Sequence, residues 1–168
     1  TFYLSGSYSE QDGILIGTDY KRLNGRLNLD HNLNNRLKIG TSVGLSYSWN
    51  NRVEGDQSLN GPLPNAISLA AIYPVYNPDG SYNEDGPYAN PVAIANEATN
   101  QAQNFRTIAN IYGRYRIISG LSFESRWGID YLNLYEHSYD PVTTRQGSKY
   151  NGLGIEGNSI ASNFTTNN

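Results

Sequence analysis

LKIGTSVGLSYSW, the stretch from Leu37 to Trp49, decides the fold. Its odd positions carry Leu37, Ile39, Val43, Leu45, Tyr47 and Trp49, with Thr41 the one exception. Its even positions carry Lys38, Gly40, Ser42, Gly44, Ser46 and Ser48. Alternation of period two makes one face of a strand apolar and the other polar, whereas a helix would scatter the same apolar residues around its circumference. The run is long compared with ordinary strands of about 5–6 residues. At about 3.3 Å per residue it extends roughly 43 Å, and tilted near 45° it would rise roughly 30 Å, enough to cross the hydrocarbon of a bilayer. Tyr47 and Trp49 sit together at one end, where an interfacial aromatic girdle belongs. A long strand of a soluble sandwich alternates in the same way, so this stretch alone leaves both architectures open.

Working outward, residues 20–33 form a second strand. Leu23, Gly25, Leu27, Leu29 and Leu33 share one face, and Arg22, Asn24, Arg26, Asn28 and Asp30 the other. Asn34-Asn35-Arg36 joins the two as a tight turn, because Asn tolerates left-handed backbone angles. Residues 1–9 alternate as well, with Phe2, Leu4, Gly6 and Tyr8 on one face, and the polar stretch around Asp12-Gly13 is a short loop. Alternation stops after Trp49. Residues 50–104 hold six of the seven prolines, and so long an insertion reads as a functional or a disordered loop. Within it, Asn65 to Ile72 can form a short helix ended by Pro74. Asn90-Pro91 is a helix start running to Ala98, with Asn as cap and Pro in the first turn. Pro78-Asp79-Gly80 is a turn flanked by Tyr76 and Tyr82. Strands return at residues 105–118 and 121–132 around the Ser119-Gly120 turn. Residues 133–168 read as a polar loop and tail.

All short turns then fall at one end of the strands and all long loops at the other. Outer-membrane barrels have short periplasmic turns and long extracellular loops, and a sandwich has no reason for that asymmetry. Tyr20, Tyr47, Trp49, Phe105 and Tyr131 would lie near the outer rim and Tyr115 near the periplasmic one. The expectation is an all-β fold: about five antiparallel strands of a transmembrane β-barrel. Five strands cannot close a barrel, and open edges are not tolerated in lipid. The chain therefore reads as one piece of a larger barrel, which should aggregate in water when excised.

Composition agrees. Charged residues make up 16% of the 168 residues, and the net charge of -3 gives no basic excess for nucleic acid. No apolar run approaches the ~20 residues of a membrane helix. Cysteine is absent, so there is no thiol chemistry, and there is no methionine and no signal peptide. Fourteen tyrosines against four phenylalanines suit surfaces that are half greasy and half wet.

The residues YLSGSYSEQDGILIGTDYKRLNGRLNLDHNLNNRLKIGTSVGLSYS (3–48) resemble the first part of the barrel of SusC/RagA-type TonB-dependent transporters of Bacteroidetes. PVYNPDGSY (74–82) with the following NPVA (90–93), and IYGRYRIISGLSFESRWGIDY (111–131), resemble that family's loop and next hairpin. The resemblance covers nearly the whole chain in order. It implies an outer-membrane barrel of about 22 strands closed by an N-terminal plug. It also implies a SusD-like lipoprotein as surface lid, energy from the TonB complex acting through the plug, and uptake of oligosaccharide or peptide. Plug, TonB box and most strands lie outside these residues.

The expected roles divide by face. Leu27, Leu29, Val43, Leu45, Phe123 and Ile129 would meet outer-membrane lipid. Arg22, Arg26, Arg106, Arg114, Arg116 and Arg126, with Asp30, Glu124 and Asp130, would face the lumen or the plug, where opposite charges on neighbouring strands can pair. In the long loop, Tyr73, Tyr76, Tyr82 and Tyr88 are candidate sugar platforms or lid contacts; packing the loop against itself is the plainer role for each. No catalytic constellation emerges, so an enzyme is not expected. His31 and His137 lack ligand spacing, no nucleophile-elbow motif occurs, and Asp79, Asn83 and Asp85 do not match a calcium loop. No metal or other cofactor is implied. The competing expectation is a soluble carbohydrate-binding β-sandwich module, which would need its strands paired into two sheets.

Overall fold

The computed structural model describes residues 1–54 and 59–168. Six strands form one antiparallel sheet in sequence order: β1 (Phe2–Asp12), β2 (Asp19–Asn32), β3 (Leu37–Asn51), β4 (Thr99–Ile118), β5 (Leu121–Asp140) and β6 (Leu153–Asn167). Three short helices lie in the connections: α1 (Pro62–Ser68), α2 (Pro91–Glu97) and α3 (Arg145–Ser148). No described helix is long and apolar enough to cross a membrane, which says nothing of strands.

The register keeps the alternation in step across the sheet. Leu4, Leu27, Val43, Ala109, Ile129 and Phe164 lie side by side in one row, as do Tyr8, Leu23, Tyr47 and Phe105 in another. Side chains directly across a ladder lie on the same side of the sheet, so these rows build one continuous apolar face. Nothing covers it. Leu4 is 72% exposed, Trp127 61% and Phe164 77%. The buried apolar side chains among those described are Pro62 in α1, Ala93 and Ile94 in α2, and Ala102. A sandwich would bury this face against a second sheet at about 10 Å. Here all six described strands belong to one sheet, not the two that a sandwich needs. The edges are open as well: among the described residues β1 pairs only with β2 and β6 only with β5.

Several boundaries differ from the sequence reading, for one physical reason. β1 continues through Glu10, Gln11 and Asp12, with Glu10 bound to Lys21 at 2.9 Å. β4 begins at Thr99 rather than Phe105, β5 runs on to Asp140, and residues 153–167, expected as tail, form β6. In these stretches both faces are largely polar. Ladder hydrogen bonds hold them without an apolar stripe, so hydrophobic alternation does not reveal them. α1 starts at Pro62 and ends at Ser68, earlier than the expected Asn65–Ile72. Pro62 and Pro64 fall in the first turn, where a missing N–H costs nothing. The Asn90 cap is as the sequence indicates: its side chain accepts from the N–H groups of Val92 and Ala93.

Candidate functional site

Short connections lie at one end of the sheet. Leu33 and Asn34 donate backbone N–H bonds to the Leu37 carbonyl across the β2–β3 turn. Gly120, at φ +83°, turns β4 into β5 just after a register shift between Arg116 and Ile118. The longer connections, 13–18, 52–98 and 141–152, gather at the opposite end.

On the polar face, charged residues form cross-strand groups spread along the strands. Arg114 on β4 lies directly opposite Glu124 on β5, with Nε 2.6 Å from Oε2, and Arg126 reaches the other oxygen of Glu124 at 3.1 Å. Arg106 binds Asp130 with two N–H donors at 2.9 and 2.7 Å. The Tyr112 hydroxyl donates to Asp30, and the Arg126 guanidinium stands 5.0 Å from the Tyr112 ring centroid. Lys38 is 3.7 Å from Asp30. Arg22 donates to Asn24 and Ser46, Arg116 to the Asn35 carbonyl, and Arg26 has no partner among the described residues. Of the nine expected polar-face residues, the structure pairs Arg106 with Asp130 and joins Arg114, Arg126 and Glu124. It leaves Arg22, Arg26, Arg116 and Asp30 outside those two groups.

The ring of Tyr112 lies over Gly40, where a Cβ would run into the ring and the Asp30 carboxylate. Replacing Gly40 by Ala and then Val should therefore lower the heat-denaturation temperature of the full-length protein in that order, as the ring is pushed off Asp30. Equal temperatures for all three would show that the ring does not rest there.

The apolar face carries an aromatic cluster at its loop end. Tyr47 and Trp49 meet edge to face at 4.2 Å, Phe105 lies 6.4 Å from Tyr47, and the Tyr47 hydroxyl donates to Gln103 at 2.7 Å. Tyr20, expected near the same rim, lies in the register between Asn50 and Gln11, on the polar face.

Above the sheet, the 52–98 and 141–152 connections pack on each other through polar anchors. Asn65 is 2% exposed, donates to the carbonyls of Leu59 and Gly61, and accepts from the Ala89 N–H. Asn90 is equally buried and donates to the carbonyls of Val75 and Asn83 while capping α2. Arg145, from the other connection, donates to the carbonyls of Glu84 and Gly86, and its Nε lies 3.2 Å from the Glu84 carboxylate. Thr144 caps the turn that presents Arg145, and Gly147 packs so tightly on Pro141 that a Cβ has no room. The sequence reading missed this Arg145 anchor; no periodicity marks a contact between residues 61 positions apart.

The four expected tyrosines do not converge. Tyr76 and Tyr82 pack on each other with tilted rings 5.3 Å apart across an isolated bridge, and the Asn96 amide donates to the Tyr82 hydroxyl. Tyr73 is half-buried beside Gly86. Tyr88 instead lines a cleft between the two connections. The turn between Tyr76 and Tyr82 is locked by Asp79, whose carboxylate accepts from the Ser81 hydroxyl at 2.6 Å and its N–H at 3.0 Å. These bonds hold the Asp79 carboxyl below the usual carboxylate range, the Ser81 hydroxyl contributing most. A depressed folded-state pKa stabilises the turn above the unfolded value near 3.9 and loses that contribution as pH falls further. Amide exchange at Ser81 should thus be unchanged between pH 7 and about 5, after correction for intrinsic rates, and should accelerate below about 4. Asp79→Asn should remove that pH response.

No family model matches the chain. Along its length it is similar to curated TonB-dependent receptors of Formosa agariphila. It is 27% identical to TonB-dependent receptor P3 over 183 residues, covering 99% of this chain and 18% of that protein. It is 30% identical to receptor P26 over 173 residues, covering 99% and 16%, and 28% identical to receptor P39 over 148 residues, covering 85% and 14%. The likeness supports a place in the TonB-dependent receptor family. The chain spans less than a fifth of the length of these relatives.

Proposed function

We propose that this chain forms part of the wall and outer mouth of an outer-membrane importer of SusC/RagA type. The whole protein would import oligosaccharide or peptide under a SusD-like lipoprotein lid, driven by the TonB complex through a plug. The observation that carries the reading is one sheet with an uncovered apolar face, a charged opposite face, and every long connection at the same end. An uncovered apolar face of this extent belongs against lipid, and open edges β1 and β6 belong against further strands. The Arg106–Asp130 and Arg114–Glu124–Arg126 groups then line the lumen or meet the plug. The wall segment itself carries no reaction.

Orientation tests this directly, in a full-length background with any cysteine outside these residues replaced, since these 168 residues contain none. In intact cells making the full-length protein, a membrane-impermeant maleimide should label a Ser81→Cys variant at the loop end. It should spare Asn35→Cys at the short turn until the cells are opened. Labelling of both in intact cells, or the reverse pattern, would refute the proposed placement.

A further inference from the structure

The cleft between the two long connections has a volume of about 340 Å³, within the range of about 300–1,000 Å³ typical of ligand sites. Its walls differ in character. Tyr88, Pro87 and Ile94 present an apolar side, with Tyr88 39% exposed; Asp140, Gln146 and Lys149 present a polar one. We propose that this cleft is a subsite for a neutral saccharide unit, held with its C–H face on Tyr88 and its hydroxyls on the polar wall. The proposal rests on the importer reading and deepens it by choosing among the substrate classes.

Two observations favour a neutral polyol over an anion. Sugar hydroxyls both donate and accept, and the polar wall offers an acceptor in Asp140, a donor in Lys149 and both in the Gln146 amide. The one guanidinium at the cleft, Arg145, is already engaged by Glu84 and Gly86 and offers no free fork to an anion. The Arg145 anchor also fixes the two walls relative to each other, so the site is formed before ligand arrives.

The test uses the full-length receptor in detergent, titrated with neutral hexasaccharides (malto-, laminari- and xylohexaose), an alginate hexasaccharide and hexaalanine. A neutral hexasaccharide should bind. Tyr88→Ala should weaken it about tenfold, the value of a lost aromatic contact. Tyr88→Phe should keep affinity within about twofold, and Gln146→Ala should also weaken binding. Neutral binding unchanged by both Tyr88→Ala and Gln146→Ala would overturn the subsite. So would preference for alginate or hexaalanine, or failure of every neutral probe. In each of those cases the importer reading stands as long as the receptor is found in the outer membrane with the labelling pattern above. Absence from that membrane overturns both.

Discussion

Leu27→Arg should block assembly of the full-length protein. Leu27 sits mid-strand on the apolar face, between Leu4 and Val43, with no layer over it. If that face meets hydrocarbon, an arginine there costs about 2–4 kcal/mol near the bilayer midplane. That is a large part of the 5–15 kcal/mol that holds an ordinary domain together. The neighbouring residue, Asn28, lies on the other face and accepts a 2.7 Å hydrogen bond from Ser42. Asn28→Arg should cost about 1 kcal/mol for that bond. The comparison is made on outer-membrane extracts, by the fraction of receptor that migrates as a folded, heat-modifiable band. Leu27→Arg should deplete that band and Asn28→Arg should keep most of it. Equal tolerance of the two would show that the apolar face is not in lipid.

Arg145→Ala should release the long 52–98 connection from its neighbour while leaving the barrel intact. Arg145 and Glu84 are each about a quarter exposed, and the guanidinium serves two carbonyls and a carboxylate at once. Losing a hydrogen-bonded charge at such a site costs about 1.5–3 kcal/mol. In limited proteolysis, cleavage within 52–98 should speed up roughly 10- to 100-fold, since opening frequency follows the local free energy. The heat-modification temperature of the barrel should not move. Arg145→Lys should restore only part of the protection, because one ammonium cannot span the same fork. Unaltered cleavage in Arg145→Ala would mean that Asn65 and Asn90 suffice to hold the connection.

What the sequence revealed depends on what each segment touches. Leu37–Trp49 and its partners announce themselves because one face is apolar and the other is not. The same strands vanish from the pattern at Thr99–Asn104, Asn133–Asp140 and throughout most of β6, where both faces are largely polar. Local rules served well where the determining contact is local, as in the Asn90 cap and the Asp79 turn; the Asn34 turn is also where expected, but it closes through the Asn34 side chain accepting from the Arg36 and Leu37 N–H groups and not through a left-handed backbone. Cross-strand charges were legible as residue types on one face. Their partners needed the register, which sets Arg114 opposite Glu124 and Arg106 one step diagonal to Asp130. Tyr88 was named along with Tyr73, Tyr76 and Tyr82, but composition could not show that it alone of the four lines the cleft. That separation depends on Arg145, far away in sequence.

The strand order also dictates how such a wall can be built. Every ladder joins strands consecutive in the chain, so each new strand can zip onto the one before it, without waiting for a distant partner. Low sequence separation favours fast pairing. The exception is the step from β3 to β4, where the intervening segment is more than ten times longer than the 33–36 turn. Closing so long a loop costs roughly 2 kcal/mol more in chain entropy. The buried asparagines 65 and 90 shorten the effective loop by folding it upon itself. Disrupting both should thus slow the third pairing step of this segment more than the first two, and make this insertion a control point for the rate of assembly.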